Sequence, residues 1–267
     1  MGKIKIITDS TCDLPEEWFK LNDVEVMKLE ILVDGKSREI TSDEVLEEMK
    51  KGKKVTTSQI TPDEFEKAYS TILKTYDSIL SVHLSSKLSG TYSSAMLAAQ
   101  HFKGKVEVID SLTTTSALGA MVAKAVELSN SGDLEDSAKK MKIFAQNVKT
   151  IFGIQTVDNL IKGGRAYTIA GKLVTLLNVK PILKGEDGEI KFHKIVLGFP
   201  RVLRGIVDYI DSFEVEGGRI YIAHTHAEEA VEYVRSKVNL DCIIAPTNPV
   251  ISINAGAGAI LVGFLTS

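Results

Sequence analysis

Four short stretches of this 267-residue chain concentrate hydroxyl side chains where an apolar run gives way to helix-forming sequence or to a helix cap. The densest is LSSKLSGTYSSAMLAAQ, residues 84–100. It holds five serines and a threonine around Gly90 and follows the apolar run Ile79-Leu80-Ser81-Val82. The first amides of a helix have no partner within it, and the helix dipole adds partial positive charge there, so a helix start favours an anion. Ser89 and Thr91 add neutral donors, and Gly90 lets another group come close to the backbone. Together they could hold one carboxylate without a formal cation. Helix capping is the competing reading, for which one hydroxyl would be enough.

The other stretches are read the same way. In TDSTCD, residues 8–13, Asp9 and Ser10 could orient neighbouring loops or touch a ligand. The alternative there is a turn in which Asp13 caps a helix that has Pro15 in its first turn. In TTSQITPDEF, residues 56–65, Thr61, Pro62 and Glu64 form a capping box, which leaves Thr57, Ser58 and Gln59 unexplained. DSLTTTSALG, residues 110–119, contains Thr114 and is the third strand-to-helix switch of this kind. The repetition, more than any single stretch, predicts convergence at one sheet edge, where open α/β folds bind ligands. INAGAGAILVGF, residues 253–264, has the glycines of a nucleotide loop but no following βαβ unit or downstream acid. Close backbone packing is expected there, with Asn254 a ligand-facing candidate. His224 and His226 would share a strand face, without a third metal ligand at convincing spacing. An ordinary strand-end pair is expected.

The elements that must position these residues alternate in the first half. Strands are expected over Lys3–Thr8, Val24–Val33, Ser78–His83 and Lys105–Ile109. Helices are expected over Pro15–Leu21, Ser42–Lys51, Pro62–Thr75, Thr91–His101, Thr115–Ser129 and Leu134–Asn147. This alternation predicts βαβ units, hence an α/β domain over residues 1–150 with a mostly parallel sheet flanked by helices. The second half reads as an α+β domain over residues 151–267. It has a strand end or short connection at Ile154–Asn159, a glycine-rich loop IKGGRAYTIAG and a short helix at Leu173–Asn178. A hairpin follows, turning at Asp187-Gly188, then a loop and helix over Lys194–Asp211. Arg219–His224 and Asp241–Ala245 read as strands around a helix at Ala227–Lys237. A pocket between the two halves is the default site.

Composition narrows the function classes. Hydrophobic content of 44% and charged content of 25% describe an ordinary globular chain, and a net charge of -3 argues against a nucleic-acid surface. Cys12 and Cys242 lie far apart, and neither a metal spacing nor a disulfide framework follows from them, which fits a reducing compartment. No signal-peptide core is visible near the start. The apolar tail from Ile243 to Leu265 is broken by prolines and glycines, so buried strand and turn are expected, not a membrane span. A cytoplasmic location is expected.

Taken together, TDSTCDLP, TTSQITPDEF, LSSKLSGTYSSA, DSLTTTSALG, NLIKGGRAY, LLNVKPIL followed by DGEI, and NAGAGAILVGF occur in the order seen in the DegV family of fatty-acid-binding proteins. The chain resembles that family over nearly its whole length. The resemblance implies one bound long-chain fatty acid, with Thr57, Ser58 and Ser89 holding the carboxylate and Gly90 and Thr91 completing the turn. Asp9, Ser10, Thr114, Arg165 and Asn254 are further ligand-proximal candidates. No cofactor, metal or catalytic residue is implied. Burying a tail of about fifteen carbons at about 0.8 kcal/mol per methylene gives a gross gain on the order of 10 kcal/mol. Association costs remove part of that, and the carboxylate must be hydrogen-bonded separately. Some members present their fatty acid to a separate kinase, which phosphorylates the carboxylate.

Two positions depart from the family pattern. Asn254 stands where a histidine is common, and Leu197 stands near an arginine of the kinase-linked members, with Arg201 and Arg204 following. These departures bear on the kinase partnership more than on binding. An enzyme acting on a small acid or acyl ester is the alternative, and it predicts a metal or a nucleophile–base pair. A lipid-sensing regulatory module is the third reading.

Overall fold

A computed structural model describes residues 2–165 and 179–266. The chain opens with β1 (Ile4–Asp9), α1 (Glu16–Leu21), β2 (Val24–Met27), β3 (Glu30–Val33), β4 (Lys36–Ser37), α2 (Ser42–Lys50) and β5 (Val55–Ser58). It continues through α3 (Pro62–Ile72), β6 (Ser78–His83), α4 (Thr91–Ala99), β7 (Val106–Asp110), α5 (Thr115–Ser129) and α6 (Leu134–Asn147). Then come β8 (Val148–Gly153), α7 (Asp158–Lys162), β9 (Val179–Glu186), β10 (Glu189–Leu197) and α8 (Phe199–Asp211). β11 (Arg219–Thr225), α9 (Glu228–Lys237), β12 (Asp241–Pro246), α10 (Pro249–Ala255) and β13 (Ala259–Leu265) finish it.

Three sheets result. The order β2-β1-β6-β7 makes a four-stranded sheet in which every pairing is parallel. Its residues alternate between two cores, as a sheet covered on both faces requires. Ile6, Leu80 and Ile109 pack with Leu118, Met121 and Met141 of α5 and α6. Ile7, Ile79 and Val108 pack with Phe65, Tyr69 and Ala95 of α3 and α4. The six-stranded sheet runs β10-β9-β8-β13-β11-β12, with only β11 and β12 parallel among its pairings. Helices α8 and α9 cover one of its faces through Ile206, Ile210, Val231 and Val234.

α5 joins the two larger sheets. It contacts β1 and β6 on one side and β8, β11 and β13 on the other. Residues 115–123 are all buried, as a helix apolar around its whole circumference must be. The approach is close: a Cβ on Gly263 of β13 would lie 2.2 Å from the Ala117 Cα. Gly263 therefore serves close packing, as expected, whereas Gly256 and Gly258 take positive φ angles of 74° and 75°.

The expected strand Val24–Val33 is two strands in different sheets. β2 stays in the parallel sheet, while β3 pairs antiparallel with β4 and β5 in a small third sheet. The break falls at Leu29, whose amide donates to the Ser10 hydroxyl at 3.0 Å. β4, β5, β8, α7 and α10 were not expected as elements, and β10 runs to Leu197 where a loop was expected. The expected capping box forms from Thr61 to Glu64, and a second, capped by Thr41, runs to Glu44. The expected helix at 173–178 lies outside the described residues.

Candidate functional site

β1, β6 and β7 are parallel neighbours, so the three hydroxyl-rich switches that follow them lie at one sheet edge. Hydrogen bonds stitch the loops together. Asp9 is fully buried; its Oδ1 accepts from the Thr11 amide at 3.0 Å and hydroxyl at 2.6 Å, and its Oδ2 from the Leu84 amide at 2.9 Å. The Ser85 amide donates to the Thr113 carbonyl at 2.8 Å. Asp9 and Ser10 thus orient loops, one of the two roles open to them in the sequence, and neither lines a cavity.

Asp13 does not cap α1, whose N-cap is Pro15 without a side-chain bond. Its carboxyl instead ties the two halves of the chain. Thr115 donates its hydroxyl at 2.5 Å, and Asn248 donates its amide at 2.8 Å and its side chain at 2.7 Å. Burial pushes the Asp13 pKa from its ordinary 3.8 up to about 7, against the pull of those three bonds. Asn248 is also the N-cap of α10, accepting from the Ile251 amide at 3.1 Å. The Ser85 hydroxyl donates to the Gly188 carbonyl at 2.7 Å, docking the β9–β10 turn on the first half.

Between the halves lies a cavity lined mostly by apolar side chains. Its apolar wall comes from both sides. Leu29, Leu84 and Leu88 belong to the first half; Phe152, Ile154, Leu160, Ile190, Val250, Ile251, Ala255 and Leu261 belong to the second. Six polar residues complete it: Thr11, Thr57, Ser89, Thr114, Arg165 and Asn254. Thr57, Arg165 and Asn254 also line a wider surface groove, so they form the neck where the cavity opens outward.

The polar groups are not equivalent. Thr11 spends its hydroxyl proton on Asp9. Thr114 is the N-cap of α5 without making a side-chain cap bond, so its hydroxyl is not consumed by capping. Nor does a hydroxyl cap α4, whose N-cap residue is Gly90. The Thr91 amide points to the Ser89 Oγ at 3.3 Å, and the Ser89 and Thr91 hydroxyls lie 3.0 Å apart. Arg165 Nε donates to the Leu88 carbonyl at 3.3 Å and Nη1 to the Gly163 carbonyl at 2.5 Å. A guanidinium has five N–H donors, so three remain beside the residue that precedes Ser89. The turn at Ser89 therefore has a cation beside it that the local sequence around residue 89 does not show. Asn254 donates Nδ2 to the Val250 carbonyl at 2.8 Å.

Of the other candidates, Ser58, Gly90 and Thr91 line neither cavity. Ser58 follows Thr57 on β5, and successive residues of a strand face opposite ways. Gly90 does permit a close approach, by the Gln59 side chain: a Cβ there would lie 1.9 Å from Gln59 Oε1. Gln59 Nε2 donates to the Ser94 hydroxyl at 3.0 Å. Gln59 thereby clips the segment carrying Thr57 to the turn carrying Ser89, a role its place outside the capping box hinted at.

One arrangement has the order of an acid–base–hydroxyl chain. His83 Nδ1 lies 3.0 Å from Asp9 Oδ2, and its Nε2 lies 2.7 Å from the Ser81 hydroxyl. All three residues are fully buried, and Ser81 is met by the Tyr69 hydroxyl at 2.9 Å. No substrate can reach Ser81, so the chain is structural. His224 and His226 take different partners, the Ala227 amide and Asp43. Among the described residues no group of three or more His, Cys, Asp or Glu side chains is placed to hold a metal, and no helix is long and apolar enough to cross a membrane.

The order of motifs, the two larger sheets and the cavity between them can be set against known proteins. The DegV family model, described as "Uncharacterised protein, DegV family", matches residues 3–267. The chain belongs to the DegV family. A DegV domain-containing protein of Caldanaerobacter subterraneus subsp. tengcongensis is 36% identical over 247 residues, covering 88% of this chain and 87% of that one. A solved DegV family protein of Thermus thermophilus, described as fatty acid binding, has a TM-score of 0.92 at 30% identity, with both chains fully covered. A Thermotoga maritima structure described as revealing a fatty acid binding function has a TM-score of 0.85 at 29% identity, again over both whole chains. Of the two positions expected to depart from the family pattern, Asn254 lines the cavity. Leu197 is exposed at the end of β10, and the exposed Arg201 donates to its carbonyl at 2.8 Å.

Proposed function

We propose that this DegV protein binds one long-chain fatty acid in the cavity between its halves. The tail lies among the leucines, isoleucines and Phe152, and the carboxylate sits toward the neck, within reach of Thr57, Ser89, Thr114 and Arg165. The observation that carries this reading is a cavity lined by eleven apolar and six polar side chains, three of the polar ones shared with the outer groove. Apolar burial drives the tail in, and the hydroxyls with Arg165 supply the hydrogen bonds a desolvated carboxylate needs. The similarity to the Thermus and Thermotoga proteins supports it.

The protein performs no chemistry of its own in this reading. It acts in the cytoplasm as a carrier that presents the carboxylate to a separate fatty acid kinase. The closed Asp9–His83–Ser81 chain speaks against the alternative of an acyl-ester enzyme.

Titration of palmitate into wild type and into Thr57→Ala, Ser89→Ala and Arg165→Met tests the assignment. Each variant should bind roughly tenfold more weakly, the effect of losing one charge-assisted or buried hydrogen bond. Unchanged affinity in all three folded variants would refute the site. Adding a fatty acid kinase with ATP should yield acyl phosphate only when this chain is present. Ester turnover by the chain alone, abolished by one substitution, would overturn the carrier reading.

A further inference from the structure

Thr115 is the first residue of α5 and has a φ of 54°. The left-handed region is unfavourable for a β-branched side chain, and such a residue stays there only where its surroundings hold it. Here the holder is Asp13. Its amide donates to the Thr115 carbonyl at 3.4 Å, and its carboxyl accepts from the Thr115 hydroxyl at 2.5 Å. Both residues are buried, so the two bonds are shielded from solvent. Thr114 precedes this turn in extended backbone and stands in the cavity wall with its hydroxyl free of capping. The turn at Thr115 therefore decides where Thr114 points.

The same carboxyl reaches the opposite wall. It accepts from the Asn248 amide at 2.8 Å and side chain at 2.7 Å. Asn248 caps α10, which brings Val250, Ile251, Asn254 and Ala255 to the cavity. Asp13 itself does not line the cavity. One side chain behind the wall thus fixes a hydroxyl on the first half and an apolar face on the second. The packing around it is tight: a Cβ on Gly119 of α5 would lie 3.1 Å from the Leu14 side chain and 3.3 Å from the Asp13 carbonyl oxygen. The other hydroxyls are held differently. Thr57 sits on β5, and Ser89 sits in the turn packed against Gln59. We propose that Asp13 is a positioning residue for the fatty acid: through Thr115 and Asn248 it aims the Thr114 hydroxyl at the carboxylate and sets the spacing between Thr114 and α10. This role rests on the fatty acid reading above and deepens it, by naming a group that the ligand never touches and on which its site depends. Alanine at this position would strip the acceptor from three donors at once.

Palmitate titrations near neutral pH test this in Asp13→Ala, Asp13→Asn, Thr114→Ala and Thr57→Ala, and in the two doubles that add Asp13→Ala to each threonine variant. Asp13→Ala should bind roughly tenfold more weakly than wild type. Asp13→Asn keeps an acceptor for Asn248 and a polar partner for Thr115, so it should recover to within about threefold of wild type. Thr114→Ala should cost roughly tenfold in wild type but less than about threefold once Asp13 is alanine, because the hydroxyl is then no longer aimed. Thr57→Ala should cost roughly tenfold in both backgrounds, since Asp13 does not hold β5. A merely structural Asp13 would lower stability and leave the losses at Thr114 additive. Additive losses there, an Asp13→Ala protein that binds as wild type does, or an Asp13→Asn protein as weak as Asp13→Ala would each overturn the inference. Where Asp13→Ala does not fold, Thr115→Val takes its place in the cycle, since it removes the hydroxyl and keeps the shape; non-additivity with Thr114→Ala is again expected, and additivity again overturns. If folded wild type binds no palmitate, the fatty acid reading itself has failed, and the role of Asp13 with it.

Discussion

Replacing Asp13 with asparagine should make the protein more stable at pH 8 and nearly neutral in effect at pH 4. The Asp13 carboxyl is buried, holds no cation, and joins α5, the β1 loop and the start of α10 through Thr115 and Asn248. Its pKa is about 7 in the fold against an ordinary 3.8. A carboxyl raised by folding binds its proton more tightly in the folded state. Between pH 3.8 and about 7 the folded chain therefore carries more protons than the unfolded one, and stability falls as pH rises through that window. At about 1.4 kcal/mol per pH unit, this group alone removes on the order of 4 kcal/mol by pH 8. Asparagine cannot ionise. Its Oδ1 can still accept from Asn248, and its Nδ2 can donate to the Thr115 hydroxyl. Urea unfolding of both proteins from pH 4 to pH 8 reads the difference directly. The stability difference, variant minus wild type, should climb with pH and level off above about 7. A constant difference, or a variant less stable than wild type at pH 8, would show that Asp13 is not held as a buried acid.

Three further outcomes follow from local geometry. Gly263→Ala should destabilise by about 3 kcal/mol or more, because the new methyl meets the Ala117 backbone, which cannot swing aside. Gly90→Ala meets only the exposed end of Gln59, so thermal unfolding should show a loss below about 1 kcal/mol, while palmitate affinity drops as the clip on Ser89 loosens. Thr61→Ala removes the α3 capping box and should cost about 1 kcal/mol in urea unfolding, with ligand affinity unchanged.

Local signals in the sequence were read where the element was self-contained. The capping box at Thr61, the Asp187-Gly188 hairpin and the alternation of strands with helices each depend on neighbouring residues, and each formed. β5 escaped because VTTS has strand-forming threonines but only one apolar residue, Val55, and its partner strand lies far back in the chain. α10 escaped because its start depends on Asn248, whose own amide is held by Asp13 over two hundred residues away. The site followed the same division. Thr57, Ser89 and Thr114 stood out as hydroxyls beyond what capping uses. That Ser58 stays out of the cavity is a matter of strand alternation in an element that was not foreseen. The proximity of Arg165 to Leu88 is a tertiary contact that no spacing in the sequence encodes.

The central claim is a bound long-chain fatty acid, and mass spectrometry of what the protein carries tests it most directly. The protein is purified without added lipid, denatured and extracted into organic solvent. The account predicts one long-chain fatty acid per chain in the extract, or stoichiometric rebinding when a stripped sample is titrated with palmitate. An empty extract together with no binding on titration would contradict it.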